Sequence, residues 1–413
     1  MTRIILVSGK GGVGKTSFAA ATGLAAARQG RKTLVMSFDL AHNLVDAFDL
    51  EKGLFSRHGG EPVKVEDNLD IQEISLQDEL RRQWGDTYQI IGSMLYGGSM
   101  QGVLADETDL LPGMDDLVAL NCLREWLERD VYDLIVLDCP PTAEALGFVG
   151  FGSILQYYAD KRLNFDRSVA KIIRPAALLM DRSLAMFLPE DRHFEVLAGL
   201  AARLREVDTA LRDPKRTTIR LVSNPERMVI METKRALMYF SMYGITVDAV
   251  LVNRVLPKES TFFSAQLARQ YSYLEGIHQD FDPIPVLTTP WMPREVAGRE
   301  SLRAFAQAAY GERAPADIFT HVPPYEVRKN SDRSYQMLVR LPFTSKEDIK
   351  LARSGQQLSI RIGPFRRSLA LPRALASLAT QGARMEDSRL VISFADDSAS
   401  EVSSGEAIYS NEA

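Results

Sequence analysis

The sequence predicts an α/β fold with a mostly parallel sheet, followed by a smaller all-β unit. Two observations predict it. Short apolar segments rich in β-branched residues alternate with helical segments over residues 1–310, which is typical of a parallel sheet covered by helices on both faces. Over residues 325–395 strand-like segments follow one another without helices between them, which is typical of a small β-sandwich.

The first element is a strand at residues 3–7, followed by a glycine-rich loop and a helix at residues 17–29. The loop reads Gly9-Lys10-Gly11-Gly12-Val13-Gly14-Lys15-Thr16-Ser17 and fits the phosphate-binding pattern G-x-x-x-x-G-K-[ST]. Such a loop surrounds a polyphosphate with backbone N–H groups and a helix N-terminus. We therefore expect this P-loop to bind ATP, with Lys15 at the β- and γ-phosphates and Thr16 as a ligand of Mg²⁺.

Lys10 is a second lysine in the same loop. Because Lys15 already serves the phosphates, we expect Lys10 to supply positive charge across a dimer interface, as an arginine finger does. The alternative is an ordinary solvated surface lysine.

Further strands are predicted at residues 32–37, 132–137, 218–222, 245–252 and 284–287. Ligands of such sheets bind at the carboxyl ends of the strands. Asp39 follows the second strand and is a candidate for orienting or deprotonating the attacking water, with capping of the next helix as the alternative.

Two more strand ends carry polar residues. Asp138 ends the third strand, where a carboxylate can hold Mg²⁺ through its water shell; a structural strand-end aspartate is the alternative. Asn253 ends the fifth strand, and its amide can both donate to and accept from an adenine edge. Asparagine is also a common turn residue.

Composition excludes several classes of protein. The chain has 413 residues, 46% of them hydrophobic, and a net charge of -5, which argues against a nucleic-acid partner. No apolar segment is long enough for a transmembrane helix, and a strand at the N-terminus leaves no room for a signal peptide. We expect a soluble cytoplasmic protein, with Cys122 and Cys139 as small core residues rather than a disulfide framework.

An ordered series of motifs over about residues 1–310 resembles the ArsA-type ATPases. The series comprises the double-lysine loop, Asp39-Leu40-Ala41-His42-Asn43, Pro112-Gly113-Met114-Asp115-Asp116, Leu137-Asp138-Cys139-Pro140-Pro141-Thr142, Asn224-Pro225-Glu226, Val252-Asn253 and Pro290-Trp291-Met292-Pro293-Arg294-Glu295-Val296. This family includes the arsenite-pump ATPases and the ATPase that targets tail-anchored membrane proteins. The order of the motifs makes the resemblance specific.

The resemblance implies a homodimer that closes on ATP and reopens after hydrolysis. It implies that Lys10 acts in trans, that Asp39 activates water in the first switch, and that Asp138 begins the second switch. It further implies that Asn253, Pro290 and Met292 contact the adenine, as part of a loop at residues 290–296.

The chain departs from the family pattern at several points. It has one P-loop and two scattered cysteines, whereas the arsenite pump joins two ATPase halves and binds metalloid through cysteines, so arsenite transport is not expected. Residues 256–282 contain no CxxC pair, so we expect a dimer held without zinc. Leu40 stands where proline is usual, and Ala143-Glu144 stand where Gly-His is usual in the second switch.

Helical insertions are predicted at residues 78–104 and 147–212. The second is rich in large apolar residues and methionine, and in the family this region forms a hydrophobic groove for a client helix, a recognised mode of binding. Ordinary core packing of long helices is the alternative, and the sequence leaves both open.

The carboxyl-terminal part has a different pattern. Residues 311–324 are predicted to be a proline-bearing linker, and strands are predicted at residues 336–342, 358–362, 367–372 and 389–394. Two Leu-Pro endings and the last strand resemble the α-crystallin domain of small heat-shock proteins over residues 325–395. An inert module that aids dimer packing is the alternative. Residues 396–413 are rich in Ser, Glu and Asp and are predicted to be disordered.

Two functions remain open. The first is an ATP-hydrolysing homodimer that binds hydrophobic protein segments or another apolar client and releases them through its nucleotide cycle, with transient membrane or receptor contact. The second is a holdase chaperone in which the nucleotide is structural and turnover is negligible.

Overall fold

The computed structural model describes residues 1–38, 44–51, 60–74, 79, 114–161, 163–180, 191–258, 264–331 and 334–396. Asp39, nearly all of the predicted insertion at residues 78–104 and the predicted tail beyond residue 396 lie outside the described residues.

The amino-terminal part forms an eight-stranded sheet with the order β3-β4-β2-β5-β1-β6-β7-β8. Its strands are β1 (Arg3–Gly9), β2 (Thr33–Ser37), β3 (Val63–Glu66), β4 (Leu69–Glu73), β5 (Leu134–Asp138), β6 (Thr217–Ser223), β7 (Val247–Val255) and β8 (Val286–Pro290). Every pair is parallel except β3 with β4. The predicted mostly parallel sheet is therefore confirmed. β3 and β4 escape prediction because they mix charged and apolar residues, as strands near a sheet edge do.

Helices cover both faces of this sheet. They are α1 (Lys15–Arg28), α2 (Leu44–Ala47), α3 (Met114–Arg129), α4 (Thr142–Lys161), α5 (Leu163–Met180), α6 (Asp191–Arg212), α7 (Arg227–Met242), α8 (Ser264–Phe281) and α9 (Gly298–Tyr310). Ile5 and Val7 pack in one core with α1, α2 and α9, whereas Ile4 and Leu6 pack in the other with α3, α4 and α6 to α8. Because side chains alternate along a strand, β1 is buried on both faces.

The predicted linker at residues 311–324 contains no helix or strand, but it is fixed to the sheet. Arg220 of β6 is fully buried and donates to the Asp317 carbonyl at 2.9 Å. Its guanidinium lies 4.2 Å from the centre of the Phe319 ring, and the Phe319 N–H donates to Asp248 at 3.3 Å. The segment is therefore docked on the sheet.

The carboxyl-terminal part consists of two antiparallel sheets, ordered β14-β15-β10-β9 and β11-β12-β13. The strands are β9 (Tyr325–Ser331), β10 (Ser334–Arg340), β11 (Ile349–Ser354), β12 (Gln357–Ile362), β13 (Phe365–Ala370), β14 (Ala379–Glu386) and β15 (Arg389–Ala395), with a short helix α10 (Arg373–Ala376). Their inner faces share one core, which confirms a small all-β fold. The sequence pattern does not predict three of these strands. β9 is exposed throughout, β11 contains charged side chains, and β14 contains a glycine and a register shift.

Among the described residues, no helix has both the length and the apolar character needed to cross a membrane.

Candidate nucleotide-binding site

The P-loop lies between β1 and α1, and its glycines allow close approach. Gly14 has φ 103°, a conformation that side chains other than glycine rarely adopt. A Cβ there would lie 2.5 Å from the Asn253 amide nitrogen, and a Cβ at Gly9 would overlap the Val222 carbonyl. The loop is therefore packed between β6 and β7 and has no room for larger residues at these two positions.

The lysines of the loop differ in their surroundings. Lys15 is only 6% exposed, and its Nζ lies 3.5 Å from the Lys10 carbonyl oxygen, so its ammonium is held within the loop. Lys10 is half-buried and is followed by the exposed Gly11 and Gly12. The two lysines thus do not have the same role in the loop.

Thr16 and Asp138 meet beneath the loop. The Thr16 hydroxyl donates to Asp138 Oδ2 at 2.7 Å. Asp138 is fully buried, because β5 lies between β1 and β2 and pairs Asp138 with Val7 and Ser37. The Phe38 N–H donates to the Asp138 carbonyl at 3.1 Å. The described chain thus approaches Asp138 at Phe38, one residue before Asp39.

Asn253 lies inside β7 rather than after the end of the fifth strand, which corrects the sequence prediction. A register shift between Val252 and Val255 interrupts the pairing with β8 there. The buried Asn253 side chain donates to the Val13 carbonyl at 2.8 Å, and its Oδ1 accepts from the Arg254 N–H at 2.9 Å. One N–H and one lone pair remain for a further partner.

The predicted adenine loop lies beside Asn253. The Trp291 N–H donates to the Val255 carbonyl at 2.8 Å, which joins this loop to the end of β7. Pro290 is exposed and Met292 is half-buried, with Met292 packed against the core that also contains Val13.

Two further carboxylates were missed from the sequence. Glu73, at the end of β4, accepts hydrogen bonds from the N–H groups of Leu44 and Val45 at 2.8 and 3.1 Å, at the start of α2. No signal in the sequence pointed to Glu73, because β4 itself was not predicted.

Asp116 is the second carboxylate. It lies in the first turn of α3, where burial and the nearby charges of Asp115 and Glu144 raise the pKa of Asp116 to about 7. Glu144, which stands where the sequence resemblance leads us to expect histidine, therefore adds negative charge beside Asp116.

The residues present fit a magnesium nucleotide. The Thr16 hydroxyl and the Asp138 carboxylate offer oxygen atoms, the donors that Mg²⁺ prefers. The glycine loop leaves its exposed side open to phosphates. Among the described residues, no group of three or more His, Cys, Asp and Glu side chains is arranged to hold a metal ion.

A strand, a glycine loop and a helix at the carboxyl edge of a mostly parallel sheet define the class of P-loop NTPases. Residues 2–311 match the anion-transporting ATPase family, ArsA, and residues 332–394 match the HSP20-like domain found in ArsA. The chain therefore belongs to the ArsA ATPase family and is an ATPase with an HSP20-like domain. Both resemblances drawn from the sequence are confirmed.

The relatives cover either most of this chain or about three quarters of it. A protein of Aquifex aeolicus, provisionally named arsenical pump-driving ATPase 1, is 37% identical over 94% of this chain and 99% of its own length. A Chlorobaculum tepidum protein with a similar provisional name is 32% identical over 95% of this chain and 96% of its own. ATPase GET3 of Chaetomium globosum is 32% identical over 74% of this chain and 89% of its own.

Proposed function

We propose that this ATPase is a homodimeric switch that binds apolar protein segments or another apolar client and releases them through ATP hydrolysis. The observation that carries the proposal is the contact between Thr16 and Asp138 at 2.7 Å, next to a buried Lys15. This pair supports Mg²⁺-dependent hydrolysis together with Asp39, because a purely structural nucleotide site would not need a residue that activates water.

The loop residues have distinct tasks in this proposal. The backbone N–H groups from Gly9 to Ser17 and the Lys15 ammonium bind the phosphates. Thr16 and Asp138 hold Mg²⁺, which neutralises charge on the phosphates when it is bound. Asn253, Pro290 and Met292 line the adenine position.

Two residues act on the reaction itself. Asp39 orients the attacking water and accepts its proton. Lys10 acts across the dimer on the partner's phosphates, as an arginine finger does, since Lys15 already serves the phosphates of its own subunit.

The client surface consists of apolar side chains on α4 and α5, which we call the apolar face: Ile154, Tyr157, Phe165, Ile172 and Ile173. Phe165 is 65% exposed and Ile172 is 75% exposed, and they lie seven residues apart on one side of α5. Exposed apolar patches of this kind typically mark interaction sites. An apolar helix laid across α4 and α5 would bury these side chains.

An arsenical substrate is less well supported than an apolar client. Cys122 and Cys139 are buried at 2% and 0% exposure. Burial raises the pKa of the Cys139 thiol, which disfavours the thiolate that would bind a metalloid. We therefore also propose that the dimer and the client cycle need neither zinc nor arsenite. In this proposal the protein acts in the cytoplasm, contacts a membrane or receptor only transiently, and binds no nucleic acid.

The second candidate is a holdase with negligible turnover. The apolar face and the HSP20-like domain favour it, because both can act without nucleotide hydrolysis. The two candidates differ in whether Mg²⁺-dependent hydrolysis is fast and depends on Asp39.

The test compares Asp39→Asn with Asp46→Asn, a matched change at an exposed residue seven positions further on. We expect Asp39→Asn to lower the hydrolysis rate by about 100-fold or more, since a general base contributes about 10²–10⁴-fold, while ATP binding persists. Asp46→Asn should behave as wild type. Equal rates in wild type and Asp39→Asn would overturn the assignment and favour the holdase. Peptide and lipid that co-purify with ATP-loaded Asp39→Asn should then be identified by mass spectrometry.

A further inference from the structure

Helix α4 connects the loop after Asp138 with the HSP20-like domain. It begins at Thr142, and the N–H groups of Glu144 and Ala145 donate to the Pro141 carbonyl at 2.9 and 3.1 Å. The first turn is therefore hydrogen-bonded to the loop that follows Asp138. Because the turns of an α-helix are joined by backbone hydrogen bonds, a displacement of its later turns would be passed on to this loop.

Three glycines of α4 let its neighbours approach closely. A Cβ at Gly147 would lie 2.9 Å from an Asp116 carboxylate oxygen of α3, and one at Gly150 would lie 2.8 Å from the Tyr243 ring. A Cβ at Gly152 would lie 3.3 Å from Asp208 of α6. α4 is thus packed against α3, α6 and the end of α7 with little free space.

Ser153 is the next residue of α4, and it joins a polar network with the HSP20-like domain. Its hydroxyl donates to Asp208 at 2.7 Å and accepts from Arg212. The Arg367 guanidinium of β13 also donates to it, at 3.2 Å. The same guanidinium lies 5.3 Å from the centre of the Tyr243 ring. Arg367 therefore contacts α4 and the residue that packs on Gly150.

Placing the charged Arg367 side chain in this contact costs desolvation free energy. It is only 9% exposed, and burial together with the nearby Arg212 lowers the pKa of Arg367 to about 10. An apolar side chain would avoid the desolvation cost of a buried charge. Apolar contacts lie beside it: Phe365 packs on Tyr239 with ring centres 4.0 Å apart, and Met238 and Met242 join the β-sheet core.

We propose that Arg367 is a positioning residue for ATP hydrolysis: the HSP20-like domain uses it to hold α4, and through α4 the loop that directly follows Asp138. The proposal rests on the proposed function, in which Asp138 holds Mg²⁺. Since the P-loop itself makes no part of this contact, loosening α4 affects the catalytic step more than ATP binding.

The experiment compares Arg367→Gln with Phe365→Leu in the full-length protein. Phe365 belongs to the same strand and domain contact, but its ring packs on α7. The readouts are kcat and KM for MgATP, urea unfolding, and hydrogen exchange of residues 142–153. Ser153→Ala removes the same contact from the side of α4 and serves if Arg367→Gln does not fold.

We expect Arg367→Gln and Ser153→Ala to lower kcat about 2- to 30-fold, the range of coupling through packed networks, with KM unchanged and faster exchange at residues 142–153. Phe365→Leu should keep kcat within about twofold at a similar loss of stability. Equal kcat values for Arg367→Gln and Phe365→Leu, or unchanged exchange, would overturn the proposal. A wild type without Mg²⁺-dependent hydrolysis would overturn the proposed function instead, and exchange at residues 142–153 would still decide whether Arg367 holds α4.

Discussion

The phosphate-binding edge of the sheet and the helix α5 are held in place by different kinds of contact. Around the P-loop, Lys15, Asp138 and Asn253 are buried and make hydrogen bonds inside the protein. Among its described side chains, α5 is attached through a small cluster of Leu163, Ala170 and Phe194 and through ion pairs at the surface.

These ion pairs are exposed. Arg167 of α5 contacts Asp191 at 2.6 Å and Glu195 at 3.0 Å, and the side chains of all three are between 29% and 64% exposed. Exposed pairs contribute little to stability. Displacing α5 therefore costs less free energy than disturbing the P-loop. The P-loop edge is therefore held in a fixed geometry, whereas α5, which carries Phe165, Ile172 and Ile173 of the apolar face, is held by contacts that cost less free energy to break.

The largest effect is expected from Gly14→Ala. Its Cβ would meet the Asn253 amide at 2.5 Å, at a residue with φ of +103°, so the buried Asn253 side chain or the P-loop must shift. We expect ATP affinity to fall by about 100-fold or more and unfolding free energy to fall by about 3 kcal/mol, as for strained positions with steric overlap. Calorimetric ATP titration and urea unfolding measure both.

Gly11→Ala is the matched control, because an added Cβ there meets no atom within 4 Å and Gly11 has no positive φ. Its unfolding free energy should stay within about 0.5 kcal/mol of wild type, as for surface substitutions. Equal unfolding free energies of Gly14→Ala and Gly11→Ala would mean that the P-loop is not a rigid element.

A smaller effect on stability is expected from Asp116→Asn, where α3 packs against α4. Because the folded protein raises the pKa of Asp116 to about 7 from an ordinary value near 4, its contribution to stability is complete below pH 4. That contribution is lost as pH rises towards 7, where the buried carboxylate becomes charged.

Asp116→Asn should therefore become more stable than wild type above pH 7, by on the order of 2 kcal/mol. The difference should diminish as pH falls through the interval between 7 and 4. Urea unfolding at pH 5 and pH 8 measures it, with Asp46→Asn, at an exposed residue of α2, as the control. A pH-independent difference would show that the carboxylate does not titrate there.

The smallest effect on stability is expected on the apolar face. Phe165→Ser with Ile172→Ser should change unfolding free energy by less than about 0.5 kcal/mol, because both side chains are exposed. Binding of a fluorescent peptide of about 20 leucine and alanine residues should nevertheless weaken at least 10-fold. Val131→Ser, at a residue 41% exposed outside this face, is the control. Unchanged peptide binding would remove the apolar face as the client site.

Local patterns explain what could be predicted. The P-loop follows from the spacing of Gly14, Lys15 and Thr16, and the central strands follow from continuous apolar segments that must be buried on both faces. The meeting of Thr16 with Asp138 follows from the rule that parallel strands present their carboxyl ends at one edge.

Contacts between distant segments explain what could not be predicted. Asn253 and Val13 are 240 residues apart, and Arg367 and Ser153 are 214 residues apart. No periodicity in either segment reveals its partner. The polar strands β3 and β4 likewise depend on the sheet beside them rather than on their own propensity.

The most direct test of the central claim mixes Lys10→Ala with Asp39→Asn. Each variant alone should lose nearly all hydrolysis. In an equimolar mixture half of the dimers are hybrids, and each hybrid has one complete site if Lys10 acts across the interface, so activity should return to about a quarter of wild type. A mixture no more active than its two components would contradict a dimeric switch completed by Lys10 in trans.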